Sequence, residues 1–300
     1  RVDVARQALA RGLSDLVDAG LVGRPTPAPG IELLEPVLDG PRPGWDVGRT
    51  HAMGDRRFAF TGPDSDLLQE VDRHLGDGDV QESPDTLFGL EPLPDGKVDL
   101  TTDTSWRFND TDRLLWQLPA VLNHFAARSD TTVVLHSGAV RTPAGAVIVV
   151  TGQVDAGKST LVAALVRSGW DYLGDESIGV CFDSLSGLSS PKPLTLDPTS
   201  QSLVGLSPVG EPFTPAEHRR AGEIRGSATC VVREIGPIDL VVETAFRPDE
   251  PPSIVRMAPH EAIGVLLANT LNLARSANVG LRTLCHVAER VPVLRVTHGD

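Results

Sequence analysis

Cysteine, positive charge and long apolar runs are all scarce in this chain of 300 residues. The three cysteines, Cys181, Cys230 and Cys285, are odd in number and widely spaced, with no CxxC pair and no metal-ligand spacing. This argues against a disulfide framework and predicts reduced thiols in a cytoplasmic protein. No apolar stretch approaches the ~20 residues of a membrane span, and no basic-then-apolar order at the start marks a secretory signal.

Acidic residues outnumber basic ones: the chain has 40 Asp and Glu and 27 Lys and Arg, which gives a net charge of −13. Such a balance argues against nucleic acid or an anionic membrane surface as the main partner. Hydrophobic residues make up 40% of the chain. At this length they suffice for one large domain or for two ordinary domains with their own cores.

One of only three lysines, Lys158, lies in a segment that fits a phosphate-binding loop. An apolar, strand-like run over 146–150 precedes it, and a helical pattern over 161–166 follows. In such a loop the backbone N–H groups and the N-terminal end of the new helix face an anion. The lysine reaches the terminal phosphates, and the hydroxyl of Ser159 can hold Mg²⁺. We therefore predict a nucleoside triphosphate site made by Gly152, Gln153, Val154, Asp155, Ala156, Gly157, Lys158, Ser159 and Thr160.

Residues before the loop predict a small α/β accessory region. Helical spacing of apolar residues indicates an amphipathic helix that begins at Val2 and ends near Gly20. Pro and Gly are frequent over 24–48, which predicts turns and a linker. A strand over 57–61, a helix over 65–75 and a short strand from Val98 follow, separated by polar, turn-rich sequence.

Residues from 110 onward alternate between strand and helix patterns. The helical stretch over 110–128 contains Pro119, so it is either one kinked helix or two helices. The predicted strands lie at 132–135, 146–150, 170–173, 178–182, 229–233, 238–244 and 293–296, and further helices lie at 259–271 and 281–290. This order is typical of an α/β nucleotide-binding core.

The bound nucleotide is predicted to be ATP rather than GTP. The loop is similar to the first motif of translational GTPases, but guanine recognition uses an Asn-Lys-x-Asp motif, and no lysine here follows an asparagine. Residues 171–174 spell Asp-x-x-Gly directly after the helix of the loop, too early for a switch segment. A GTPase therefore remains the weaker alternative.

Several segments resemble the HPr kinase/phosphorylase-like kinases. The strand Leu135-His136 and the turn to Gly145 precede the loop, and Ser168-Gly-Trp170 and a strand ending in Asp175-Glu176 follow its helix. The segments 191–196 and 291–300 also look like the HPr-kinase-related branch. The resemblance covers roughly residues 110–300. It implies a fold similar to that of phosphoenolpyruvate carboxykinase and transfer of the ATP γ-phosphoryl group to a hydroxyl, typically a serine.

The resemblance also implies a role for each matched residue. Asp175 accepts the proton of the attacking hydroxyl, Glu176 joins Ser159 around Mg²⁺, and His136 lies beside the reacting phosphates. In-line phosphoryl transfer needs a base near the acceptor, a metal between the phosphates and cations for the developing charge. Asp175 and Glu176, at a strand end near the loop, can supply the base and a ligand for the metal.

This chain departs from the family at several positions. Glu176 stands where the family has a second Asp, so the division of tasks between the acids is open and both Asp175 and Glu176 are candidate Mg²⁺ ligands with Ser159. Asp155 stands where the loop usually has a small residue. The arginine-glycine signature of bifunctional HPr kinases is missing after the acids, which argues against phosphorylase activity. Arg225, in the basic segment 217–226, is a candidate for reaching the γ-phosphate from a mobile segment. Histidines outside the motifs, including His298, show no metal-ligand spacing and are expected to be structural.

The sequence thus predicts an α/β protein with an accessory region over 1–109 and a phosphate-loop kinase core over 110–300. Its predicted activity is ATP- and Mg²⁺-dependent transfer to a hydroxyl acceptor, which is a serine of a protein or peptide or a small-molecule alcohol. The alternative is a regulatory module that binds or hydrolyses ATP without a kinase reaction. HPr kinases commonly assemble as oligomers, so a homo-oligomer is a further expectation.

Overall fold

A computed structural model describes residues 31–34, 42–75, 83–190, 194, 196–205, 234–247 and 249–299, arranged in three β-sheets and the helices around them. The protein is a mixed α/β structure, as the sequence predicts. The predicted N-terminal helix, the strand over 229–233 and the basic segment over 217–226 lie outside the described residues.

The first sheet is mostly antiparallel and has the strand order β1-β6-β5-β4-β3-β2. Its strands are β1 (Ile31–Leu34), β2 (Asp46–Met53), β3 (Arg56–Gly62), β4 (Thr86–Pro92), β5 (Val98–Thr101) and β6 (Ser105–Phe108). Strands β3 and β4 are parallel, with Phe58 opposite Thr86. Helix α1 (Ser65–Leu75) lies between them in the chain, because two parallel neighbours need a crossover connection.

Helix α2 (Thr111–Ala126) belongs to the core of this first sheet. The Asp110 carboxylate accepts the backbone N–H of Arg113 at 2.7 Å, which caps the helix N-terminus. The helix continues through Pro119 as one element, which decides between the two alternatives left by the sequence. Since α2 packs in the first core, the first packing unit extends past residue 109, the predicted end of the accessory region. The domain division itself stays a prediction.

Four phenylalanine rings form the centre of the first core. The Phe88 ring stacks on Phe60 at 5.5 Å and meets Phe58 and Phe125 edge-on at 5.9 and 5.5 Å between centroids. Offset and edge-to-face pairs of this kind add to the free energy gained by burying the rings. Phe125 comes from α2, so the cluster joins that helix to the sheet.

The second sheet has the order β10-β8-β9-β14-β16-β15, and the third has the order β13-β12-β11-β7. The strands of the second sheet are β8 (Ser137–Arg141), β9 (Val147–Thr151), β10 (Asp171–Gly174), β14 (Leu240–Phe246), β15 (Ser253–Arg256) and β16 (Val293–His298). The antiparallel third sheet contains β7 (Thr132–Leu135), β11 (Ile178–Cys181), β12 (Ser186–Ser189) and β13 (Glu234–Pro237). Strands β9, β14 and β16 are parallel, so their carboxyl ends meet at one edge of the second sheet.

Both faces of strand β9 are buried. Val147 and Val149 pack into a core shared with the third sheet and with helices α5 (Pro259–Ala268) and α6 (Leu273–Arg290). Ile148 and Val150 pack on the opposite side against α3 (Lys158–Arg167) and residues near α4 (Pro198–Leu203). This explains the uninterrupted apolar run before the phosphate loop, since a strand covered on both faces has no polar side.

Two sequence expectations are wrong in the first sheet. Residues 24–48 were expected to form only turns and a linker, but β1 lies within them and β2 begins at Asp46. The turn-rich segment 76–105 contains β4, although the sequence indicated only the short strand from Val98. Prolines and glycines lowered the strand signal there, and pairing with neighbouring strands outweighs such local preferences.

The phenylalanine cluster generates a stability prediction. We expect Phe88→Ala to lower the free energy of unfolding by about 3–5 kcal/mol, because it leaves a cavity among three rings. Val255→Ala on β15 removes an exposed side chain and should change the value by less than about 0.5 kcal/mol. Urea denaturation followed by circular dichroism measures the free energy of unfolding of both variants. Equal losses in the two variants would contradict a central role of Phe88 in the core.

Candidate functional site

The phosphate loop (residues 152–160) begins where β9 ends and leads into α3. Gly152 has φ +146, and a Cβ there would lie 2.6 Å from the Thr244 carbonyl oxygen of β14. Only glycine accepts both this backbone conformation and this close approach. Gly157 has φ +83 at the first residue before α3. The loop is therefore folded tightly against the carboxyl ends of the parallel strands.

The side chain of Lys158 bonds to the backbone of its own loop. Its ammonium group donates to the carbonyl oxygens of Gly152 at 3.0 Å and Gln153 at 2.9 Å, and the residue is only 8% exposed. Desolvation lowers the pKa of Lys158, while the carboxylates of Asp175, Glu176 and Asp155 act in the opposite direction. Three carboxylates therefore lie close enough to Lys158 to favour its charged form.

Ser159 and Asp175 form the central polar contact of the site. The Ser159 hydroxyl donates to the Asp175 carboxylate at 2.9 Å. Asp175 directly follows β10 and is 2% exposed. A hydroxyl from the start of a phosphate-loop helix and a carboxylate from a strand end are the protein ligands that hold Mg²⁺ in phosphate-loop proteins. The donor set fits that ion, which keeps most of its coordination for water and phosphate oxygens.

No cluster of three or more His, Cys, Asp or Glu side chains suited to a metal occurs among the described residues. Ser159 and Asp175 would leave the other coordination positions of Mg²⁺ to water and phosphate oxygens.

Glu176 occupies a different position from Asp175, although the two are adjacent in the chain. Its backbone has the left-handed φ of +77, and its side chain bonds to Asn123, whereas the Asp175 side chain bonds to Ser159. The amide of Asn123 on α2 donates to the Glu176 carboxylate at 3.4 Å. Nδ1 of His136 donates to the Glu176 backbone carbonyl at 2.9 Å. These contacts hold Glu176 between the two packing units and leave its side chain partly exposed.

The structure brings together five of the predicted site residues, namely His136, Lys158, Ser159, Asp175 and Glu176. Of the two acids predicted as metal ligands beside Ser159, Asp175 is the one whose side chain bonds to Ser159. The roles themselves stay predictions. Arg225 lies outside the described residues.

The remaining loop residues differ in exposure. Gln153, Val154 and Asp155 form the exposed tip of the loop, and Asp155 has the left-handed φ of +62. Ala156 is buried. The Thr160 hydroxyl pairs with Ser200 Oγ of α4 at 2.8 Å, which ties α3 to α4.

Sequence reasoning did not find Asn123 or Thr244. Asn123 lies 53 positions before Glu176, in the predicted helical stretch 110–128, and no motif marks it. Thr244 was seen only as a strand end, although its backbone borders Gly152. The one available signal was the rule that carboxyl ends of parallel strands carry ligand-binding residues.

Comparison with known proteins gives little further information. No protein-family model matches the chain, and no curated protein matches it. Among solved structures, the chain has 12% sequence identity to the Hpr(Ser) kinase/phosphatase from Coxiella burnetii, over 56% of this chain and 85% of that chain. The TM-score of 0.29 is too low for this likeness to carry an argument. Within the described ranges, no helix combines the length and the apolarity needed to cross a membrane.

Proposed function

We propose that this protein is an ATP- and Mg²⁺-dependent kinase that transfers the γ-phosphoryl group to a hydroxyl acceptor. The observation that carries the proposal is the contact of Ser159 with Asp175 at 2.9 Å, beside the buried ammonium of Lys158. A hydroxyl, a carboxylate and a cation at the mouth of a phosphate loop are the groups that phosphoryl transfer requires.

In the proposed complex, the loop N–H groups and the N-terminus of α3 bind the β- and γ-phosphates. Lys158 would exchange its two carbonyl contacts for phosphate oxygens, since its Nζ already lies inside the loop. Mg²⁺ bound by Ser159 and Asp175 would neutralise charge on the phosphate oxygens. These groups act by positioning and electrostatics, which supply most of the catalysis in this reaction class.

The acid that receives the acceptor proton is, in this proposal, Glu176. The resemblance to HPr kinases implies Asp175 for that role, but Asp175 is nearly inaccessible and already bonded to Ser159. Glu176 is partly exposed and held by Asn123. The acceptor O–H proton would move to the Glu176 carboxylate, a new O–P bond would form, and the bond from Pγ to the bridging oxygen would break, releasing ADP.

The acceptor is proposed as a serine of a protein or peptide, or a small-molecule alcohol. A homo-oligomer and a cytoplasmic location remain part of the proposal. One observation favours the alternative of a regulatory nucleotide-binding module. The Asp155 carboxylate is exposed at the tip of the loop, close enough to act on the charge of Lys158. A carboxylate there opposes a polyphosphate by like-charge repulsion.

The proposed kinase reaction should be detectable as phosphoryl transfer. Incubation with Mg²⁺ and γ-labelled ATP in a host-cell extract, followed by separation by size, should yield labelled product. Lys158→Ala should reduce the transfer by roughly 10²–10³-fold, because it removes the cation at the phosphates. Lys97→Ala is the matched control, since Lys97 lies exposed in a turn and pairs with Asp95.

The fraction that carries the label identifies the acceptor class. Label in the macromolecular fraction supports a protein or peptide acceptor, and label in the small-molecule fraction supports a metabolite. Bound ATP without label in either fraction would contradict the kinase and favour the regulatory module.

The second prediction separates the two acids. Asp175→Asn should raise the Mg²⁺ concentration needed for half-maximal activity, because it removes a metal ligand. Glu176→Gln should leave that concentration unchanged and lower kcat by roughly 10²–10⁴-fold, because it removes the proton acceptor. Steady-state kinetics at varied Mg²⁺ measures both effects. The reverse result would restore the assignment that the family resemblance implies.

A further inference from the structure

An aromatic pair lies beside the phosphate loop, at the carboxyl ends of β14 and β16. The rings of Phe246 and His298 are 5.6 Å apart between centroids. Phe246 is 43% exposed, a large fraction for a phenylalanine at the end of a central strand. Nothing in the proposed chemistry at Lys158, Ser159, Asp175 and Glu176 uses either ring.

His298 connects this pair directly to the loop. Its Nε2 donates to the Ala156 carbonyl oxygen at 3.1 Å. A Cβ on Gly157 would lie 3.1 Å from His298 Cε1, so the imidazole sits against the backbone where the loop enters α3. His298 therefore lies against the loop, and Phe246 lies on His298; we call these two rings the aromatic wall.

The strand order places this wall opposite the acids. In the second sheet β9, which carries the loop, has β8 and β10 on one side and β14 and β16 on the other. Asp175 follows β10, whereas Phe246 and His298 end β14 and β16. A triphosphate with its terminal phosphate towards the acids would extend its nucleoside end towards the aromatic pair.

We propose that Phe246, supported by His298, forms the stacking surface for the base of the bound nucleotide. This rests on the proposed function, since it needs a nucleoside triphosphate in the loop. Every base presents a π-face, so an exposed ring at this place binds a base whatever its hydrogen-bonding groups. The exposure of Phe246 is then explained, because bound nucleotide covers the ring.

The test compares two ligands that share phosphates and differ in the nucleoside. Calorimetry with Mg²⁺ measures the binding of ATP and of inorganic tripolyphosphate to the whole protein. Phe246→Ala should weaken ATP binding roughly tenfold, the usual effect of losing one aromatic stack, and leave tripolyphosphate binding unchanged. Phe246→Tyr keeps the ring and should keep the ATP affinity.

Ile254→Ala is the matched control, because Ile254 is an exposed apolar residue on β15 of the same sheet. It should change neither affinity. Phe246→Ala that weakens both ligands equally would overturn the proposal, since the ring would then act only by supporting the loop. Phe246→Ala without effect on ATP would overturn it as well.

The same titrations keep this proposal separate from the proposed function. If the wild-type protein binds ATP no more tightly than tripolyphosphate, the proposed stacking surface for the base is contradicted, but the proposed phosphate site is not. If the wild-type protein binds neither ligand, both the stacking surface and the proposed nucleotide-dependent function are contradicted.

Discussion

The burial of β9 on both faces is the constraint on which the site depends. Val149 packs into the core with the third sheet, and Val150 packs against α3 on the other side. Because the strand is covered on both faces and paired with parallel β14 on one side and antiparallel β8 on the other, its carboxyl end has one fixed position. The loop that follows can then fold tightly, with Gly152 against the Thr244 backbone and Lys158 turned inward. A loop on a less constrained strand would lose this preorganisation.

The first packing unit contributes to the same site through contacts at the boundary. The amide of Asn123, on α2, bonds to the Glu176 carboxylate. Phe125, two residues further along α2, belongs to the phenylalanine cluster. In the turn between β2 and β3, Asp55 accepts the Ser129 hydroxyl at 2.9 Å, and Gly54 donates its N–H to Ser189 of the third sheet at 3.2 Å. The position of Glu176 therefore depends on packing in both units. The residues before β7 therefore help to position Glu176 and are not only an accessory unit attached to the core.

Local patterns predicted most of the elements near the loop. The strand before it, the helix after it and the helix over 65–75 all occur, because strong apolar periodicity and turn residues decide such elements locally. Local patterns did not predict β1, β2 or β4 as they occur, since these strands form by pairing with partners distant in the chain. The proline in α2 left two alternatives, and only packing of the helix in the first core selected one.

The sequence by itself determined the glycine-rich loop between β9 and α3, the acids that follow β10 and the mixed α/β class. Strand, loop and helix are contiguous, so their order alone places the backbone N–H groups of the loop at the start of α3. Only the tertiary structure decided that Asp175 meets Ser159, that Asn123 holds Glu176 and that Phe246 lies beside His298. The last two of these contacts join residues more than fifty positions apart, and all three depend on side-chain directions fixed by strand order and packing, which no local pattern encodes.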